Sequence, residues 1–213
     1  MLLFFQKLLG LDAAAWPEVD SHPFDARDTL AFLILLLGIG GFSGWIYEVV
    51  FYWLNGGCKL WYWRGSTFIP WIDIYGLGIF LILLICVKIR KSPVKVFLLS
   101  GISCGILEYL VGLLMFTFGN GHRAWNYNTE ILNFGNIQGF VCLRSVLVFA
   151  GAGTFFVMIV VPVMRTLYSR LSGSARKRLR IACFIFAAVL VLDLLYNDIL
   201  VYVIPSLPSA GHL

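Results

Sequence analysis

The sequence predicts an all-α integral membrane protein, a bundle of about five transmembrane helices with its N-terminus inside the cell and its C-terminus outside. Three observations predict it. Hydrophobic residues make up 60% of the 213-residue chain and charged residues only 13%. That is about half the charged share of a soluble globular domain, so lipid must be the solvent for much of the chain. The apolar residues gather into five runs, most of them near the roughly 20 residues that cross a bilayer. Ten of the sixteen lysines and arginines lie in two short stretches between those runs.

The first run covers residues 29–54, and Asp28 or Thr29 suits its N-cap. The second, 71–87, is short and opens among aromatics. The third, 93–118, follows Ser92-Pro93, a cap residue and then proline at the first helical position. The fourth covers 139–164, with Pro162 near its end. The fifth covers 179–204 and is stopped by Pro205 and Pro208. The chain therefore divides into an N-terminal segment 1–28, a transmembrane bundle 29–204 and a tail 205–213. Residues 1–16 lack the basic start of a secretory signal and are too short to span. With Phe5, Leu8, Leu9 and Leu11 set among Gln6, Lys7 and Asp12, they suit the membrane interface.

Lys88, Arg90, Lys91 and Lys95 follow the second run. Arg165, Arg170, Arg176, Lys177, Arg178 and Arg180 follow the fourth. Basic loops stay in the cytoplasm, and this fixes the orientation. The net charge of +5 is thus read as topology and contact with anionic membrane lipids, not as nucleic-acid binding. The outer surface then carries Trp61, Tyr62, Trp63, Phe68, Trp71, Trp125 and Tyr127, either an interfacial aromatic belt or the lip of a ligand site. Glycine pairs Gly40/Gly44, Gly101/Gly105 and Gly135/Gly139 have the four-residue spacing that brings helix backbones together in lipid. Cys58, Cys86, Cys104, Cys142 and Cys183 form no CxxC pair. His22, His122 and His212 are scattered, so neither a metal nor a cofactor is expected.

A charge in the hydrocarbon core costs about 2.5–3.5 kcal/mol on insertion scales and must be hidden, paired or neutralised. The residues that carry this cost are Glu48, Glu108, Arg144, Asp193 and Asp198. At about 1.5 Å per residue, Glu48 and Asp198 lie roughly 9 Å below the outer end of their helices and Glu108 roughly 15 Å. Asp193 lies near the level of Glu108, and Arg144 lies in the outer third. All fall in the outer half or near the midplane, which predicts a polar cavity opening outward. Arg144 is expected to pair with Glu48 in an upper tier, because guanidinium grips a carboxylate through two hydrogen bonds. Glu108 and Asp193 then line a lower tier, with Asn197 on the same helix face as Asp193 and Tyr75, Trp125 and Tyr127 nearby. Ordinary interhelical ties are the competing reading of the same residues.

Several segments in order resemble a bacterial membrane family, the CmpB-like ABC-transporter permeases. They are Gly44-Trp45-Ile46-Tyr47-Glu48, Arg64-Gly65, Ile74-Tyr75-Gly76-Leu77-Gly78, Leu107-Glu108-Tyr109 with Gly112, Trp125-Asn126-Tyr127, and Gly139-Phe140-Val141-Cys142-Leu143. The resemblance runs from about Gly41 to Pro162. It implies a multi-pass protein of the bacterial cytoplasmic membrane with acidic positions at Glu48 and Glu108, the two carboxylates already selected on cost. The chain departs from the family at Asn126, where the family has Asp, at Phe140, where it has Arg, and at Phe116, where it has an acid. Residues 67–73 also replace the family's Gly-Pro approach to its Tyr-Gly motif. The sequence holds no ATP-binding loop, so an ABC role requires a separate ATPase subunit.

Three function classes follow. The first is a permease-like or transport-associated protein whose cavity takes a small solute or lipid head group, with a homo-oligomer as one way to complete it because five spans show no inverted repeat. The second is a non-catalytic binding or assembly subunit that docks a partner on its basic loop. The third is a membrane-embedded enzyme acting on a lipid or isoprenoid. No activated nucleophile or metal set accompanies the carboxylates, so no catalytic residue is assigned.

Overall fold

A computed structural model describes residues 24–55, 68–119, 121, 123, 125–200 and 204, without the side chains of 198 and 199. Residues 1–23, Cys58, Trp61, Tyr62, Trp63, Arg64-Gly65, His22, His122, His212, the side chain of Asp198 and the tail 205–213 lie outside the described residues. The protein is all-helical, as its composition predicts. The helices are α1 (Ala26–Leu54), α2 (Asp73–Cys86, continued by a 3-10 turn Val87–Ile89), α3 (Pro93–Phe118), α4 (Leu143–Ser169) and α5 (Gly173–Leu195, continued by a π turn Tyr196–Leu200). By length and apolarity α1, α3 and α4 qualify as membrane spans. The described chain forms two compact units, one of residues 24–80 and 167–204, the other of residues 81–166.

Helix boundaries differ from the sequence reading where polar residues begin or end a helix. Helix α1 starts at Ala26 because Asp25, not Asp28 or Thr29, is the cap. The Asp25 carboxylate accepts the Asp28 N–H at 2.7 Å, and the Asp28 carboxylate accepts the Asp25 N–H at 3.4 Å, closing a reciprocal box around the orphan donors of the first turn. Helix α5 starts at Gly173, six residues before the apolar run, with Ser172 Oγ accepting the Ala175 N–H. Arg176, Lys177, Arg178 and Arg180 therefore stand on the first turns of a helix and not in a loop, and Arg165 is fully buried in α4. Helix α4 rewinds into a π turn at Phe156–Val160, just ahead of Pro162. Proline has no N–H to offer the carbonyl four residues back, and its ring crowds that carbonyl, so the ladder shifts by one residue.

In the unit of residues 24–80 and 167–204, α1 and α5 run parallel. Ala31, Ile34 and Cys183 form a buried core with Leu35, Leu179, Phe186 and Ala187. Helix α2 runs antiparallel to α1, with Tyr75 against Gly44 and Ile79 against Gly40. Ahead of α2 the Trp71 indole donates to the Leu37 carbonyl at 3.3 Å, and the Ile72 N–H donates to the Gly41 carbonyl at 3.2 Å. A Cβ at Gly44 would lie 2.1 Å from Tyr75 Cγ and 2.6 Å from its Cβ, atoms too close to the backbone to swing away. Gly44→Ala is expected to destabilise the protein by about 1–3 kcal/mol, the usual cost of overpacking. Thermal unfolding of the purified protein reads it, and an unchanged midpoint would argue against this helix contact.

In the unit of residues 81–166, α3 packs on α4 through the Gly101/Gly105 face, which meets Val146 and Ala150. This face of α3 is small or polar: Ser100, Gly101, Cys104, Gly105, Glu108 and Gly112 are buried. The opposite stripe, Val94, Leu98, Ile102, Ile106, Leu110 and Leu114, is exposed. Large apolar side chains outside and small or polar ones inside are what a lipid solvent demands. Two of the three glycine pairs thus serve helix packing. Gly135 and Gly139 do not, because both lie in the loop before α4 with φ of +64° and +79°. That loop contains the isolated antiparallel bridge between Ile137 and Val141.

Candidate functional site

Glu108 sits on the buried face of α3, 5% exposed. Two hydroxyls close on its carboxyl group. Tyr127, from the loop ahead of α4, reaches Oε1 at 2.5 Å, and Ser145, from the first turn of α4, reaches Oε2 at 2.6 Å. Tyr127 is itself buried, so it is a plug over Glu108 and not a residue of the aromatic belt. Burial and the charge of Glu108 push its phenol far above the ordinary tyrosine range, so it stays a hydrogen-bond donor. The loop that delivers Tyr127 is tied down by its own polar groups. The Tyr127 N–H donates to the Gly139 carbonyl at 3.0 Å, the Asn133 amide to the Tyr127 carbonyl at 2.9 Å, and the Trp125 indole to the Phe140 carbonyl at 2.8 Å. Only glycine fits at 139, where positive φ coincides with side chains of Asn126 and Asn128 within 2.7 Å of any Cβ.

Arg144 points to the same loop. Its guanidinium meets Glu130 at 2.7 Å and the Ile131 carbonyl at 2.6 Å, and lies 5.2 Å from the Tyr127 ring centre. Glu130 is a partner that the sequence reading did not consider, while the expected partner, Glu48, belongs to the other unit. The aromatic departures at Phe116 and Phe140 prove to be neighbours, ring centres 5.8 Å apart. The Arg123 guanidinium sits 4.6 Å from the first and 4.4 Å from the second, a cation–π arrangement in place of a carboxylate and an arginine.

In the other unit, Glu48 accepts a hydrogen bond from the Tyr75 hydroxyl at 3.2 Å, made possible by the Gly44 notch one turn earlier on α1. Phe186 packs on Gly38. Seven residues further along both parallel helices, about 10 Å, Asp193 comes level with Trp45. Asp193 is buried and accepts the Phe68 backbone N–H at 3.3 Å, while the Asn197 amide donates to the Asp193 carbonyl at 2.9 Å. Asp73, in the first turn of α2, is close enough for its charge and that of Asp193 to repel. Glu48, Tyr75, Asp193 and Asn197 therefore lie within about one helical turn of a common level, and Asp73, missed in the sequence, lies near Asp193.

A third cluster lies at the opposite end of α1. Asp28 is 3% exposed and accepts from Tyr168 at 3.0 Å. It pairs with Arg176 at 3.5 Å and Arg180 at 3.7 Å. Arg180 also meets Asp25 at 3.1 Å. The Asp28 backbone N–H, aided by Arg180, holds the Asp25 carboxyl below its usual range. Sequence reasoning assigned these arginines to topology, lipid contact or partner docking and named Asp28 only as an N-cap candidate, without pairing them. The only available signal was the Asp25-to-Asp28 spacing of a capping box.

The family profile described as "putative ABC-transporter type IV" matches residues 35–197, which cover most of the chain and both sets of carboxyl residues. Comparison with curated proteins and with solved structures found no match. The long apolar helices agree with the membrane role that the family description carries, and the chain belongs to the CmpB-like ABC-transporter family as a transport-associated membrane protein.

Proposed function

We propose that the protein is a permease-type subunit of the bacterial cytoplasmic membrane that binds a small solute or lipid head group in a polar cavity open to the outside. The observation that carries this reading is the gathering of Glu48, Tyr75, Asp193 and Asn197 at one level of the unit of residues 24–80 and 167–204. Carboxyl groups that far along an apolar helix are costly, and a ligand with a cationic or hydroxyl-bearing group gives that cost a return. A separate ATPase subunit supplies the energy, the partner that the ABC-transporter family description suggests.

Thermal unfolding of the purified protein against a panel of amines, zwitterions, sugars and phospholipid head-group analogues tests it. A ligand at a hundred times its Kd raises stability by about 2.7 kcal/mol. At least one class should raise the midpoint, and Glu48→Gln and Asp193→Asn should abolish that rise. A rise that persists in both variants, or no rise with any class, contradicts the reading.

A second reading has its own observation. Arg170, Lys177 and Arg178 are exposed together around the short connection from α4 to α5, a surface that suits an acidic cytoplasmic partner. Under this reading the protein is an assembly subunit. A stoichiometric partner that co-purifies with the wild type, and is lost when the three are changed to glutamine, favours it.

A further inference from the structure

We infer that Glu108 is a proton-binding site, at which the buried carboxyl takes up and releases one proton by rotation of the Ser145 hydroxyl, with no heavy atom moving. The argument is a count of hydrogens. Ser145 Oγ carries one hydrogen and two lone pairs. The Cys142 N–H donates into it at 3.3 Å, which uses one lone pair. Two acceptors then compete for its single hydrogen, Glu108 Oε2 at 2.6 Å and the Cys142 carbonyl at 2.8 Å. The Cys142 carbonyl also receives the Val146 N–H at 3.1 Å, so it is satisfied whichever way the hydroxyl turns.

Both charge states of Glu108 fit this frame. When the carboxyl is ionised, the Ser145 hydrogen points to Oε2. When a proton from water binds at Oε2, that proton is donated to the second lone pair of Ser145, whose own hydrogen turns to the Cys142 carbonyl. One proton enters, the charge at Glu108 goes from −1 to zero, the Glu108–Ser145 bond persists with its direction reversed, and neither Ser145 nor Cys142 loses a hydrogen bond. Tyr127 donates to Oε1 in both states. A carboxylate needed only as a tie would be better served by fixed N–H donors, which cannot turn away. Buried polar groups in low dielectric are costly when half satisfied, so a hydroxyl that is satisfied in both protonation states of its neighbour is a specific arrangement.

Among the described residues, ionisable groups near Glu108 come from three elements. From α3, Cys104 lies one turn earlier. From the loop come Tyr127, a donor in either state, and Glu130, whose charge is met by Arg144 at 2.7 Å. From the start of α4 come Cys142 and Arg144, with the guanidinium 5.2 Å from the Tyr127 ring centre and paired with Glu130. The inference stands on the unit of residues 81–166 alone and does not depend on the ligand reading, whose test leaves it untouched.

Infrared difference spectroscopy of the full chain in lipid nanodiscs, stepped in pH, tests it. Among the carbonyl stretches of the eleven carboxyl side chains, one band, worth one proton per chain, should grow as pH falls and be missing from the spectrum of Glu108→Gln. In Ser145→Ala the band should move to higher frequency, because the acid has lost its acceptor, and this arm serves if Glu108→Gln does not fold. Asp193→Asn should leave the band in place. A band that survives Glu108→Gln, is unmoved in Ser145→Ala, stays constant with pH or never forms overturns the inference.

Discussion

Asp28→Ala is expected to lower the stability of the protein by about 3 kcal/mol, near the low end of the cost of breaking a buried ion pair. The substitution takes from the Tyr168 hydroxyl its Asp28 acceptor and removes the shared anion of Arg176 and Arg180. The loss is not larger because Arg180 keeps Asp25 at 3.1 Å and Arg176 keeps the Ser169 carbonyl at 3.1 Å. Asp28→Asn retains the acceptor for Tyr168 and should recover part of the loss. Chemical or thermal unfolding of the three proteins in one detergent checks the order wild type, Asn, Ala. Equal stabilities would show that the cluster is only a consequence of positive charge on the cytoplasmic side. Topology and stability are separable here, because the orientation expected from the sequence rests on arginines that the substitution does not touch.

Glu108→Ala is expected to cost about 2–4 kcal/mol, one orphaned buried hydroxyl plus a small cavity. Hydrogen bonds between helices in bilayers average only about 0.6 kcal/mol, since unfolded helices find partners too. The larger figure arises because Tyr127 is delivered by a folded loop and is left with a buried phenol. Ser145 retains the Cys142 carbonyl and adds little. The control is Tyr127→Phe. Removing both partners leaves nothing orphaned, so the double variant Glu108→Ala/Tyr127→Phe should cost less than the sum of the two single changes, by about 0.5–3 kcal/mol. Strict additivity would mean that the 2.5 Å contact contributes nothing.

The helices were legible because lipid imposes a simple rule on composition, and the two glycine pairs that face Tyr75 and Val146 follow from the same rule. What periodicity does not carry is partner choice across the chain. Asp28 meets Arg176 and Arg180 from about 150 residues away, and hydropathy reads those arginines as a loop between two apolar runs when they are the start of a helix. The loop ahead of α4 was read as an aromatic belt or the lip of a ligand site because Trp125 and Tyr127 are aromatic. Its turn chemistry, with positive φ at Leu132, Gln138 and Gly139, folds Tyr127 inward instead. Glu48, Glu108 and Asp193 were identifiable from cost alone, whereas Ser145 and Glu130 were not, since a serine and a loop acid cost nothing until the fold has placed them. Asp73 was overlooked because it stands in the first turn of a helix that the sequence reading began two residues earlier.

The central claim is that the polar level around Glu48, Tyr75, Asp193 and Asn197 is wet and open to the non-cytoplasmic face. Asn197→Cys, in a chain whose native cysteines are replaced, exposes that level to a charged, membrane-impermeant maleimide added outside intact cells. The account predicts that Asn197→Cys is labelled from outside, while Lys177→Cys is labelled only after the membrane is opened. An Asn197→Cys thiol that reacts from neither side, or only from the side that labels Lys177→Cys, would contradict it.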